Sequence, residues 1–205
     1  MLCGMSSDII DTKTRILAVT WRLMEKSCGQ GVRMSDIANE AGISRQAVYL
    51  HFSSRTELMI ATAQYVDEVR GLNERLKPFR GATGGIESLE LFVEFWGNYI
   101  PEIYGMAKVL LKIRDTDEAA AAAWEDRMNA VREACEEIMN ALDRDKLLAS
   151  EWSKDDAVEI LWTMLSVYNW EQLTVGCGWS TSQYILRMKT LLKRTFVDTS
   201  KVSPK

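Results

Sequence analysis

Apolar residues recur at helical spacing along almost the whole of this chain, and no long stretch alternates apolar with polar as a half-buried strand would. Prolines, which would interrupt such a pattern, stand only at Pro78, Pro101 and Pro204. The chain is therefore expected to be all-α. Ile16, Leu17, Trp21 and Met24 form one helix stripe that ends near Cys28-Gly29. Leu58, Thr62, Tyr65, Val69, Leu72 and Leu76 form a longer one, which Pro78 is expected to terminate. Glycines in the stretch 78–85 mark a loop. Ser54 to Glu57 and Ser180 to Gln183 each read as a capping box, with Trp179 and Tyr184 placed for a hydrophobic staple across the second. Further helices are expected near 87–104, 106–113, 117–146, 153–175 and 181–197.

With 47% apolar and 26% charged residues the chain can bury a core and keep a wet surface, which argues against a disordered or a membrane class. No apolar run approaches the roughly 20 residues needed to span a bilayer. The opening residues lack a basic segment followed by an apolar one, so no secretory signal is read and residues 1–11 are expected to be a disordered lead. Cys3, Cys28, Cys135 and Cys177 make no CxxC pair and His51 is the single histidine, so neither a disulfide framework nor a metal site is expected. A reducing cytoplasm is the expected setting, with no cofactor. An enzyme reading finds no nucleophile elbow, no phosphate loop and no metal spacing. The net charge of −4 is unevenly spread: residues 1–60 carry seven Lys/Arg against six Asp/Glu, the remainder 18 against 23. Attraction to phosphate depends on local charge, so a mildly positive head on an acidic body is compatible with nucleic acid.

The informative stretch is 34–52, MSDIANEAGISRQAVYLHF. Ile37, Ala38 and Ala41 give a short helix an apolar face, and the small alanines allow a second helix to approach closely. Gly42 falls where the chain must turn through positive φ, a conformation cheap for glycine. Ser44 is placed to cap the following helix. Val48 and Phe52 face inward, which leaves Arg45, Gln46, Tyr49 and His51 outward. A helix, a short turn and a second helix with its polar residues outward suit the laying of that second helix in the major groove of DNA. Arg45 can donate a bidentate pair to guanine and Gln46 can pair with adenine, each discriminating by about 1–3 kcal/mol. Ser44, Tyr49, His51 and Arg55 are expected to contact the backbone, which positions without specifying sequence.

Residues 14–58 resemble the N-terminal domain of the tetracycline-repressor-like (TetR) regulators, through Asp36-Ile37-Ala38, Ala41-Gly42-Ile43-Ser44, Val48-Tyr49, His51-Phe52 and Ser54 to Leu58. Arg55 stands where that family usually has lysine, Met24 where it has phenylalanine, Cys28 where it often has glycine, and Val32 where a capping threonine is common. The resemblance implies a three-helix DNA-binding domain over 12–57. Over 58–205 it implies a helical bundle that binds a small-molecule effector and dimerises. It further implies a homodimer on a palindromic operator, acting by default as a repressor. Effector binding would shift the 54–76 helix and alter the spacing of the two DNA-binding heads.

The segment 155–184 is similar to the family's final helix pair, which makes a four-helix dimer interface. Ile160, Met164, Tyr168, Ile185, Met188 and Leu192 are the expected contacts, although a stripe at helical spacing serves an intrachain core equally well. Trp96, Tyr99, Tyr104, Met106, Trp124, Met128, Trp162 and Tyr168 fall in stretches matching the helices around the family's ligand cavity, and such a lining would suit a hydrophobic or aromatic effector. Core packing is the ordinary role of each of these residues taken singly. Glu90 and Glu94 share a helix face with apolar neighbours, the placement a cation-selecting carboxylate would need. A rival reading keeps the same fold as a helical small-molecule or partner-binding protein that no longer recognises DNA.

Overall fold

A computed structural model describes residues 11–26 and 32–201. Residues 1–10 of the expected 1–11 lead, the helix end at Cys28-Gly29 and the Cys28 departure lie outside the described residues. Two compact units emerge, Met1–Val66 with Lys108–Trp124, and Asp67–Ala107 with Glu125–Lys205. The division thus falls nine residues beyond the 57/58 boundary drawn from sequence, and the first unit also takes in a segment from the middle of the chain.

In the first unit α1 (Thr12–Lys26) packs on α2 (Met34–Ala41), which packs on α3 (Arg45–His51). α4 (Arg55–Val69) follows. Ile16, Met24, Ile37, Val48, Phe52 and Leu58, all expected to face inward, are buried to within about one per cent, as is Met59, which the periodicity left out. Trp21 and Tyr65 of the same stripes are half-buried and Val69 is exposed. Two buried hydroxyls are satisfied along their own helices: Thr20 donates to the Ile16 carbonyl at 2.8 Å and Thr62 to the Leu58 carbonyl at 2.7 Å. Such back-bonding lets a polar side chain sit in a core without an orphaned donor. Arg33, not Val32, occupies the N-cap of α2, and it provides no side-chain cap.

The second unit contains α5 (Leu72–Arg75), α6 (Lys77–Arg80), most of α7 (Gly85–Ile113) and α8 (Glu118–Arg144), then α9 (Lys154–Met164), α10 (Val167–Glu171), a π-helical turn at Gln172–Gly176 and α11 (Thr181–Phe196). Three expectations are corrected here. The helix drawn over 54–76 stops at Val69, because Gly71 turns the chain at φ 69°; Pro78 sits in the first turn of α6 instead of ending a long helix. The pair 87–104 and 106–113 is one helix that runs through Pro101 and Gly105. Burial of Met106, Ala107, Val109 and Leu110 beyond those two residues continues the stripe and outweighs the glycine's cost of about 1 kcal/mol. The expected 153–175 helix is broken after Leu165, where Ser166 caps a new start by accepting from the Asn169 amide at 3.3 Å.

Close approach also shapes this unit. A Cβ on Gly85 would lie 2.5 Å from the Leu142 nitrogen, and one on Gly97 would lie 2.4 Å from Ile185 Cγ1. Phe79, Phe92, Phe95 and Tyr99 form a chain of ring contacts with centroids 5.1, 5.8 and 5.1 Å apart. The end of α11 is tied to the segment after α8 by Ala149 donating to the Phe196 carbonyl and Trp152 Nε1 donating to the Thr195 carbonyl.

Candidate nucleic-acid interface

The turn between α2 and α3 is held by backbone alone. Gly42 takes φ 67°, ψ 35°, and the amides of Gly42 and Ile43 donate to the Asn39 and Ala38 carbonyls at 3.2 and 3.0 Å. A Cβ added to Gly42 would meet no atom within 4 Å, so glycine is required there for its left-handed conformation, not for room. Ser44 then adopts an extended conformation and its hydroxyl accepts from the Ala47 amide at 3.0 Å. That cap starts α3 at a fixed phase, which seats Val48 and Phe52 inward and turns Arg45, Gln46, Tyr49 and His51 to the surface.

Two features of this surface escaped sequence reasoning. Leu50 is 82% exposed beside Tyr49 at 39%, so α3 presents an apolar side chain as well as polar ones. Arg45 lies over the Tyr49 ring, 5.6 Å from guanidinium carbon to centroid, with Nη2 donating to the phenol oxygen at 3.5 Å. The i, i+4 spacing of the pair was the available signal for that contact.

Arg55 stands differently from the other expected backbone contacts. Its Nε donates to the Val32 carbonyl at 3.1 Å, and Nη1 and Nη2 donate to the two carboxylate oxygens of Asp117 at 2.5 and 2.7 Å. Asp117 also accepts from the amides of Ala119 and Ala120, capping the start of α8. Burial pushes the Asp117 carboxyl up, but the Arg55 hydrogen bond and the two amides outweigh it and hold the group below the ordinary carboxylate range. Together with Arg33, Ser35, Arg45 and Tyr49 the pair lines a cleft of about 460 Å³. Next to it, Ser54 accepts from the Glu57 amide at 3.0 Å as the capping box requires, but the Glu57 carboxylate reaches back to Ser53. Hydrogen bonds from Ser53 hold Glu57 below its usual pKa.

The expected effector-contacting residues do not all come together. Trp96, Tyr99 and Met106 are buried, and Trp162 Nε1 donates to the Met128 carbonyl at 3.1 Å. Tyr104 is half-buried and donates to Glu171, with its ring 5.0 Å from that of Trp170. Trp124 is half-buried and belongs with the first unit, and Tyr168 is 55% exposed. Sequence reading missed a charged cluster beneath Tyr99: its hydroxyl donates to Asp67, Arg127 donates to Asp67 at 2.6 Å and also to Asp126, and Arg75 lies 5.0 Å over the ring. Burial lowers the Arg127 pKa, but its two aspartates raise it further, so it remains charged. Glu90 and Glu94 are ion-paired with Lys193 and Lys189, which removes them as free carboxylates for a cation. Among the expected interface residues, Ile160 is exposed and Met164 and Ile185 are half-buried, whereas Met188 and Leu192 are 2% and 1% exposed. Those two fill the chain's own core and are withdrawn from the interface. Leu186 and Val175 are exposed apolar residues of this region outside the expected stripes, and Leu191, which lies in the α11 stripe, is exposed as well. No helix of the described residues is long and apolar enough to cross a membrane.

A capped helix presented over a glycine turn, with its second face packed, is a helix-turn-helix of the kind that lies in a DNA groove. Residues 16–62 match the family described as bacterial regulatory proteins, tetR family. Over 162 residues, 77% of this chain and 75% of the relative, the sequence is 24% identical to the HTH-type transcriptional regulator CymR of Pseudomonas putida. The fold is similar to that of FadR from Bacillus subtilis, solved with stearoyl-CoA, at a TM-score of 0.69 and 14% identity, covering 88% of this chain and 97% of that one. It is also similar to NalD of Pseudomonas aeruginosa, the secondary repressor of the MexAB-OprM multidrug efflux pump, at a TM-score of 0.64 and 19% identity, covering 92% and 98%. Residues 16–62 thus carry a DNA-binding domain of the tetR family, and the chain is a DNA-binding transcriptional regulator.

Proposed function

We propose that this regulator acts as a ligand-responsive repressor that binds a palindromic operator as a homodimer. The observation that carries the reading is the outward presentation of Arg45, Gln46, Tyr49 and His51 on a helix whose opposite face, Val48 with Phe52, is seated in the head. In this reading Arg45 and Gln46 contact bases, while Ser44, Tyr49 and His51 hold the backbone. Two-fold symmetry would present the second head about one helical turn away on the duplex. Exposed Ile160, Tyr168, Val175, Leu186 and Leu191 on or near α9 to α11 support pairing of subunits there, since monomers seldom leave many large apolar groups in water.

A repressor released by a small molecule is favoured by the likeness to NalD and by the ligand named with FadR. Trp96 Nε1, Trp170 Nε1 and the Tyr184 hydroxyl are buried without a hydrogen-bond partner. Orphaned donors of that kind are costly, and an effector carrying acceptor groups alongside its apolar surface would satisfy them. Its effect on the operator requires only that it favour a head spacing that fits DNA badly. The test is titration of a labelled duplex from the gene's own upstream region at two salt concentrations, with sedimentation to give the subunit number. Sequence-specific, salt-sensitive binding by a dimer is expected. Binding of a small molecule by a chain with no duplex preference would overturn the reading in favour of a sensor without DNA specificity.

A further inference from the structure

We infer that Asp117 competes with the DNA backbone for Arg55, and so sets how tightly the head grips any duplex. The inference rests on the reading of α3 as the DNA-facing helix. Arg55 and Asp117 are 62 residues apart in sequence, yet the guanidinium is held by both carboxylate oxygens and by the Val32 carbonyl. The side chains are 27% and 15% exposed, so the pair is open to solvent on one side, in the cleft it shares with Arg33, Arg45, Ser35 and Tyr49. Three arginines, a serine hydroxyl and a phenol around one concavity are the donors a phosphate oxygen requires. Asp117 is the single carboxylate lining it among the described residues.

The two partners are anchored unequally. Asp117 keeps two backbone partners, the amides of Ala119 and Ala120, whether or not Arg55 is present. Arg55 has a long flexible stem, and a guanidinium carries five N–H groups, of which three serve the contacts described. A phosphate entering the cleft therefore meets an arginine that can turn toward it and a carboxylate that stays. With the carboxylate present, the head forfeits most of one backbone contact on every sequence alike.

Asp117→Asn in the full chain tests this. Asparagine keeps an oxygen for the α8 amides and is as good a cap as aspartate, but removes the charge. Expected is tighter binding to operator and to an unrelated duplex by the same factor, with the log–log salt slope steeper by about 0.9. That slope adds a further ~3.5-fold loss of affinity between 50 and 200 mM salt. Adding Arg55→Gln to Asp117→Asn is expected to abolish both changes. An unmoved slope, or weaker binding by Asp117→Asn, shows that the pair is only a brace and overturns the inference. Asp117→Ser, which retains a capping hydroxyl, repeats the measurement if the first variant melts early. Ordinary salt-sensitive binding by the unaltered chain with inert Asp117 variants sinks this inference alone. Failure of the unaltered chain to bind any duplex sinks the DNA-facing reading with it.

Discussion

Two glycines show how differently the head and the body are specified. Gly42 turns the chain at φ 67° in open space, whereas Gly85 leaves no space at all, its missing Cβ position lying 2.5 Å from the Leu142 nitrogen and 2.7 Å from its Cα. The first is a requirement of local conformation and can be read from neighbours four residues either way. The second is a requirement of close packing against a residue in another helix, and no neighbouring residue announces it. Local chemistry writes the head; contacts across long sequence separations write the body.

Substitutions at these two positions break or sharpen the contrast. Gly85→Ala sets a methyl against backbone that cannot swing aside, and about 3 kcal/mol of destabilisation is expected. For a chain of this size that lowers the melting midpoint by about 6–12 °C. The folded fraction should bind duplex as before. A melt within a degree of the parent would show that α7 and α8 separate easily and that the contact does not specify the body. Gly42→Val asks a β-branched residue to hold a left-handed conformation and is expected to cost about 2 kcal/mol, with loss of operator binding. Gly42→Asn should lose only a few tenths, since asparagine tolerates that region. Equal damage from valine and asparagine would mean that space, not φ, decides at Gly42, and the contrast with Gly85 would vanish. Ser44→Ala and Ser166→Ala each remove a cap worth about 1 kcal/mol. The first is expected to weaken duplex binding and the second to leave it unchanged, measured by melting and titration of both.

The same division governs what sequence alone could disclose. Gly42, Ser44, Val48 and Phe52 were legible because a turn, a cap and an inward face each follow from residues close in sequence. In the body, periodicity finds the stripes on α9 and α11 but not which side of each meets its own chain, so buried Met188 and Leu192 stand among the expected contacts while exposed Leu186 does not. Breaks at Gly71 and Ser166 were overlooked for a related reason: a glycine and a serine inside a helical stripe are tolerated or not according to what packs beyond them, as the unbroken passage through Gly105 shows. Pairings such as Arg55 with Asp117 and Arg127 with Asp67, 62 and 60 residues apart, carry no sequence signal that distinguishes them from ordinary surface charges. Arg55 read as a free backbone contact because its own segment was read without the start of α8.

The smallest expected effect concerns that same pair, and it tests whether the head is as local as its turn suggests. Asp117 lies outside the stretch that spells the helix-turn-helix, yet the Arg55 hydrogen bond and two amides overcome burial to hold its carboxyl below the ordinary value of 3.8. A carboxylate whose folded pKa is depressed contributes stability that is complete above the unfolded value and is lost as pH falls through the folded one. The melting difference between the parent and Asp117→Asn is therefore expected to be flat from neutral pH down to about 5, and to shrink only on the acid side of the unfolded carboxylate range. Melts in a buffer series across that window at fixed ionic strength supply the curve. A difference that already fades between pH 7 and 5 would mean that Asp117 is not held charged by Arg55. The head would then owe nothing to the chain beyond its own helices.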